Sequence, residues 1–125
     1  MVKSQFEKKF GEDCGIVGVY DPNGDVSRLA FYGIYALQHR GQESAGIASA
    51  DGYKIKIRTG MGLVTHVFKD EDLDYLTGDT AIGHTRYSTT GTSNIKNAQP
   101  MIVDGENFKL AIAHNGNVVN SLELK

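Results

Sequence analysis

From residue 14 onward, short apolar runs alternate with clusters of turn-forming residues. The run 15–20, Gly-Ile-Val-Gly-Val-Tyr, is continuous enough to predict a buried strand, and Asp21-Pro22-Asn23-Gly24 closes it with a turn. Over 25–38 the apolar residues Val26, Leu29, Ala30, Ile34 and Leu37 recur at helical spacing, with Asp25 as the expected N-cap and Gly41 as the expected stop. A second strand is expected over 44–50. Asp51-Gly52 then turns the chain into 53–58, where Tyr53, Ile55 and Ile57 alternate with Lys54, Lys56 and Arg58, the pattern of a strand with one wet face. Two short helices are expected at 63–68 and 71–76, a strand at 80–87 and a long polar loop at 88–100. Strands at 101–103 and 108–114 flank Asp104-Gly105-Glu106-Asn107, and Asn120-Ser121 resembles a helix start. Helices mixed with antiparallel hairpins predict the α+β class, and no internal repeat is visible. The last element begins only at the end of the 125 residues, so the chain is expected to be the front part of something longer.

Composition narrows the possible roles. The length suits one domain, and 40% hydrophobic residues supply a core. Fifteen glycines favour tight turns over a helical bundle. A formal net charge of −2 leaves no basic field for nucleic acid or an anionic membrane, so neither is expected as a partner. No run approaches the roughly 20 apolar residues that span a bilayer. Residues 1–13 alternate Lys3, Glu7, Lys8, Lys9, Glu12 and Asp13 without an apolar stretch, which is not a secretory signal. The single cysteine excludes an internal disulfide and a Cys-only metal site, and a cytoplasmic, reducing location is expected.

That cysteine, Cys14, stands at the lip of the first predicted strand. A free cysteine is often only a small buried hydrophobe. As a nucleophile it needs a base, because a thiol near pKa 8.5 is mostly protonated at neutral pH. His84 and His114 are candidates. So is the α-amine of Cys14 itself, which cleavage after Asp13 would free; its ordinary pKa of about 7.7–8.0 lies close to that of the thiol. Downstream, His114-Asn115-Gly116-Asn117 follows the apolar 110–113. It reads either as a plain turn or as an oxyanion hole, in which the Asn115 amide and the Gly116 N–H converge on one oxygen. Arg86, in Gly83-His84-Thr85-Arg86-Tyr87-Ser88-Thr89, is either an ordinary surface residue or a fork for a substrate carboxylate, with the Thr89 hydroxyl beside it. The segment 38–44 is a charged connection or part of the same site. His39 and His66 read as structural, the charges of 69–74 as a solvated face, and Gly60-Met61-Gly62 is no phosphate loop because no Gly-Lys-Ser/Thr follows.

Taken in order, Cys14 to Gly18, Leu37 to Gly46, Gly83 to Thr89 and His114 to Asn117 resemble the glutaminase domain of class II glutamine amidotransferases, N-terminal-nucleophile enzymes with an αββα sandwich. The resemblance spans Cys14 to about Asn120. Within the class the wording is most similar to the amidophosphoribosyltransferases. Glucosamine-phosphate synthases usually show Tyr at the place of His39, Tyr-Asp at Gln42-Glu43 and Trp at Tyr87, and asparagine synthetases His-Arg-Gly-Pro at 39–42. A glutaminase of one of those other types is the alternative within the class. The resemblance implies a sandwich present only in part, with residues 1–13 as a propeptide and 14–125 as the front of the glutaminase domain. It implies Cys14 as nucleophile with its freed α-amine as base, Asn115 and Gly116 as oxyanion hole, and Arg86 on the glutamine α-carboxylate. It implies Thr89 and Arg40 as support for that substrate site. An aspartate for the substrate α-amine belongs shortly after Lys125. Glutamine would be hydrolysed to glutamate and ammonia, and a downstream domain would add the ammonia to phosphoribosylpyrophosphate, giving phosphoribosylamine for purine synthesis. Mg²⁺ and, in some members, an iron–sulfur cluster belong to that downstream region, with no cofactor and no metal in this chain. A homo-oligomer is expected at full length.

Two rivals remain at this point: a Cys-His hydrolase that needs no processing, and an inactive fragment that keeps its leader. Replacing both His84 and His114 with glutamine, which keeps a polar side chain but cannot act as a base, separates the two. Glutamine turnover of the full-length product is expected to survive in large part with an α-amine base and to vanish with a histidine base.

Overall fold

The computed structural model of the chain describes residues 14–38, 42–87 and 95–115. In order these form β1 (Gly15–Tyr20), α1 (Val26–Leu37), β2 (Gln42–Ala50), β3 (Ile55–Met61), α2 (Val64–Val67), α3 (Asp70–Tyr75) and β4 (Thr80–Tyr87), then a 3₁₀ turn (Ile95–Asn97), β5 (Met101–Asp104) and β6 (Lys109–Ile112). The first four strands make one antiparallel sheet in the order β1-β4-β2-β3, and β5 and β6 make a separate hairpin. The α+β class read from the sequence is the one observed. The propeptide expected at 1–13, Gly41, the bulk of the polar loop (88–94) and the helix start at Asn120-Ser121 lie outside the described residues.

Local chemistry sets the boundaries. Asp25 caps α1 as expected, its carboxylate accepting the Arg28 N–H at 3.2 Å. The helix stops at Leu37, before Gly41, because Gln38 is already extended and its side-chain oxygen accepts the Val64 N–H at 3.2 Å. The strand expected at 53–58 instead runs over Ile55–Met61. Asp51 Oδ1 accepts the N–H groups of Tyr53 and Lys54 at 2.9 and 2.8 Å, which keeps both residues in the turn. The register from Ser44↔Met61 to Ala50↔Ile55 then carries β3 three residues further than alternation suggested. The last strand is shorter than the expected 108–114, because beyond Ile112 the main chain bonds to side chains instead of a neighbouring strand.

Helix α1 covers one face of the sheet. Val26, Ala30 and Ile34 meet Ala45 and Ile47 of β2 and Ala81 of β4, with Val64, Phe68, Leu73 and Leu76 closing the cluster from α2, α3 and their flanks. The helix comes close to the sheet at Gly83, where a Cβ would stand 2.7 Å from Ile34 Cγ2. The opposite face receives the β5–β6 hairpin: Ala48 and Ile82 from the sheet, with Leu110 and Ala111 from the hairpin, line a cleft of about 250 Å³. Strand β2 is accordingly buried almost throughout. Helix, sheet and hairpin are three layers of an αββα stack, and a second helical layer is not seen among the described residues. Met101, Val103, Phe108, Leu110 and Ile112 stay exposed, as expected of a two-stranded ribbon covered on one side at most. No helix among the described residues is long and apolar enough to cross a membrane.

Ile34, wholly buried, carries the helix–sheet contact. Ile34→Ala is expected to lower unfolding free energy by about 2–5 kcal/mol in urea titrations. Tyr53→Ala, at a residue 95% exposed, should change it by no more than about 0.5 kcal/mol.

Candidate active site at the end of the first strand

Antiparallel pairing of β1 with β4, Gly15 opposite Thr85, brings Cys14 to the last residues of β4. The Tyr87 N–H donates to Cys14 Sγ at 3.4 Å, and Sγ lies 4.0 Å from the Tyr87 carbonyl oxygen. From the far end of the chain, Asn115 Nδ2 donates to the Cys14 carbonyl at 2.7 Å. The nucleophile candidate and the oxyanion-hole candidate, 101 residues apart, are therefore in direct contact.

Arg86 precedes Tyr87 on the same strand. Its Nη1 donates to the Asn97 carbonyl at 3.1 Å, and its Nε stands 3.6 Å from Glu43 Oε2. Glu43 lies at the bulge between Gln42 and Ser44, opposite Tyr87 and Arg86, and a bulge re-aims a side chain in this way. The Glu43 side chain is only 7% exposed and that of Arg86 26%. Neither Arg86 Nε nor Glu43 Oε2 has a hydrogen bond, so the pair is held by charge alone. Arg86 is thus oriented on two sides, with guanidinium N–H groups still available for a carboxylate.

His84 is fully buried, and its Nε2 lies 3.1 Å from the His114 carbonyl oxygen. A carbonyl only accepts, so the ring carries its proton on Nε2 and leaves Nδ1 bare; that atom has no partner. Burial pushes the imidazole pKa down to about 4, with repulsion from His114 and Arg86 in the same sense and the His114 carbonyl and nearby Asn115 side chain opposing. Neither ring nitrogen reaches the thiol, since Nε2 faces the His114 carbonyl and Nδ1 has no partner, so His84 is not placed as the base of a Cys-His pair. The thiol bonds the Tyr87 main chain, not His84 or His114.

Of the six site residues read from the sequence, Cys14, Arg86 and Asn115 come together here. Arg40, Thr89 and Gly116 lie outside the described residues. Two contributors were not singled out. Glu43 stood in a segment whose site role was left open, and Gln99 was read as part of a polar loop. Gln99 is 5% exposed and its Oε1 accepts the His114 N–H at 2.7 Å, which periodicity does not signal. A cleft of about 460 Å³ near the start of α1, lined by Asp25, Arg28 and Asp74 among others, includes none of these residues. No group of three or more His, Cys, Asp or Glu is placed to hold a metal among the described residues.

No family model matches the chain. Among curated proteins it is 56% identical over 113 residues to an amidophosphoribosyltransferase of Archaeoglobus fulgidus, covering 90% of this chain and 24% of that protein. It is 53% identical over 114 residues to the amidophosphoribosyltransferase of Synechococcus elongatus, covering 91% and 23%. Among solved structures, the allosteric regulatory enzyme of purine biosynthesis superposes with a TM-score of 0.76 at 40% identity, covering 90% of this chain and 24% of that one. The glutamine phosphoribosylpyrophosphate amidotransferase of B. subtilis, complexed with ADP and GMP, gives 0.71 at 42% identity, covering 90% and 23%. The chain spans about a quarter of the length of the relatives it matches.

The buried His84 makes stability depend on pH. Its folded pKa of about 4 lies below the ordinary 6.5, so the unfolded chain takes up the proton first as pH falls. Stability from this group is expected to be full above pH 6.5, to decline by roughly 3 kcal/mol between 6.5 and 4, and to level off below. Urea midpoints at pH 7 and 4.5 should fall less in His84→Gln than in the parent.

Proposed function

The chain is homologous to the N-terminal quarter of the amidophosphoribosyltransferases, and from that premise we propose that it is their glutaminase part, hydrolysing glutamine to glutamate and ammonia at Cys14. The observation that carries this reading is the Asn115 amide seated on the Cys14 carbonyl, beside a strand end that offers Arg86.

The Cys14 thiolate attacks the side-chain amide carbon of glutamine. The carbonyl electron pair moves onto oxygen, where Asn115 Nδ2 and the Gly116 N–H receive it; one such donor lowers a barrier by roughly 3 kcal/mol. The pair then returns, the C–N bond breaks, and ammonia leaves with the proton taken from the thiol. Water resolves the thioester to glutamate. Removal of residues 1–13 as a propeptide supplies the base, since Cys14 nitrogen is an amide while Asp13 is attached and an amine afterwards. Arg86 holds the substrate α-carboxylate by paired hydrogen bonds, with Thr89 and Arg40 in support.

In the full-length protein the ammonia displaces pyrophosphate from phosphoribosylpyrophosphate, giving phosphoribosylamine for purine synthesis. An iron–sulfur cluster needs several thiolates and this chain has one cysteine, so its residues do not fit that group; a cluster, where present, and Mg²⁺ belong downstream. The whole protein is read as a cytoplasmic homo-oligomer that uses neither nucleic acid nor membrane.

Intact mass of the full-length product, before and after a diazo-ketone glutamine analogue, tests the nucleophile. Loss of residues 1–13 with one adduct on Cys14 is the expected result. A labelled product that keeps its leader would exclude the free-amine base, and a folded protein without label would exclude Cys14. Cys14→Ala is expected to abolish glutamine-dependent synthesis of phosphoribosylamine while leaving synthesis from added ammonia. Asn115→Ala should lower the glutaminase kcat by roughly 10²–10³-fold with KM little changed.

A further inference from the structure

Beyond Ile112 the chain leaves β6, and its next polar groups bond to side chains. The His114 carbonyl accepts from His84 Nε2 at 3.1 Å, and the His114 N–H donates to Gln99 Oε1 at 2.7 Å. Both anchors are buried, His84 at 0% and Gln99 at 5% exposure. The main chain of the residue immediately before Asn115 is thus clamped on its donor and on its acceptor by two neutral side chains from different parts of the fold. We propose that His84 and Gln99 are positioning residues that fix the Asn115 amide over Cys14 for oxyanion binding, an inference that rests on the oxyanion role proposed above for Asn115.

The clamp is built from the sheet. His84 is opposite Ile16 of β1 and Gly46 of β2. At Gly46 a Cβ would land on the Gln99 carbonyl oxygen and stand 2.8 Å from its carbon, so the Gln99 main chain occupies the space a side chain would need. That approach seats Gln99 on β2, next to His84. Three of the four strands then each hold one part of the arrangement: β4 through His84, β2 through Gln99, and the start of β1 through the Cys14 carbonyl on Asn115 Nδ2. An amide NH₂ has two protons. One is spent on the Cys14 carbonyl, which leaves one whose direction is set by where residue 114 is held. A donor aimed at an oxyanion must be in place before the charge develops, and a misplacement near 1 Å costs on the order of 100-fold in rate.

The test uses the full-length, processed protein, with glutaminase kcat, KM for glutamine and the thermal melt as readouts. His84→Leu and Gln99→Met are each expected to lower kcat by roughly 10- to 100-fold with KM within about threefold. His84→Gln, which keeps an N–H near the Nε2 position, should recover most of the loss. The loss in His84→Leu/Asn115→Ala should be no greater than in Asn115→Ala alone, because the clamp acts only through that amide. Losses that multiply, a rise in KM without a fall in kcat, or a His84→Gln as impaired as His84→Leu would each overturn the proposal, the last by pointing to a ring nitrogen that titrates. If His84→Leu fails to melt cooperatively, Gln99→Met and its double variant with Asn115→Ala decide by the same criteria. A silent Asn115→Ala would remove the oxyanion reading itself; a strong Asn115→Ala effect beside silent His84→Leu and Gln99→Met would overturn the positioning role alone.

Discussion

The placement of β4 between β1 and β2 is the constraint on which the rest of the structure depends. An antiparallel strand paired on both sides has its register set twice, and successive side chains must point to opposite faces. Ala81, Gly83 and Thr85 therefore go to the α1 side, while Ile82, His84 and Arg86 go to the hairpin side. The same pairing carries Cys14 to Tyr87 and Glu43 to Arg86. A slip of one residue would place His84 and Arg86 in the hydrophobic cluster under α1 and remove every contact of the site at once.

Among the described residues, the site concentrates the buried side-chain polar atoms left without a hydrogen bond. Gln42 Oε1, Glu43 Oε2, Ser44 Oγ, His84 Nδ1 and Arg86 Nε are buried without a hydrogen bond, and all lie on the adjoining ends of β2 and β4. A buried polar group without a hydrogen bond costs on the order of 1–3 kcal/mol, offset in part for Glu43 and Arg86 by their ion pair, so a core selected for stability alone would not gather this set. The apolar layer beneath supports the expense: Ala30, Ile34 and Ile47 are wholly buried and pack where Gly83 lets the helix approach. Stability resides in that layer, and specific chemistry resides at the edge of the same sheet.

Much of the fold was legible in the chain itself. Asp25 and the 3.6-residue spacing marked α1, and the apolar run of 15–20 marked β1; expected as a buried strand, β1 instead lies at the sheet edge, with Gly15 buried and Ile16, Gly18 and Tyr20 exposed. Where the reading slipped, a side chain had bonded the backbone: Asp51 drew Tyr53 and Lys54 into a turn, Gln38 ended a helix ahead of Gly41, and His84 and Gln99 shortened the last strand. Periodicity registers which face is apolar; it does not register a polar side chain that competes with a strand for the main chain.

Four short motifs in order, at 14–18, 37–46, 83–89 and 114–117, carry the resemblance to the class II glutamine amidotransferases. Cys14, Arg86 and Asn115 each had an ordinary reading as well, a buried thiol, a surface arginine and a turn, and it is the resemblance that implied their roles as nucleophile, carboxylate fork and oxyanion donor. What the sequence could not decide was the base and the second layer of the site. Two histidines were open candidates for the base, and only the packed structure shows His84 buried, neutral and turned to the His114 carbonyl. Glu43 and Gln99 likewise take their roles from neighbours 43 and 15 residues away in the chain, at Arg86 and His114. Residue type and local order are properties of the sequence; a proton's position and a side chain's aim depend on which distant groups burial brings within hydrogen-bonding or ion-pairing reach, and those are set only when the sheet forms.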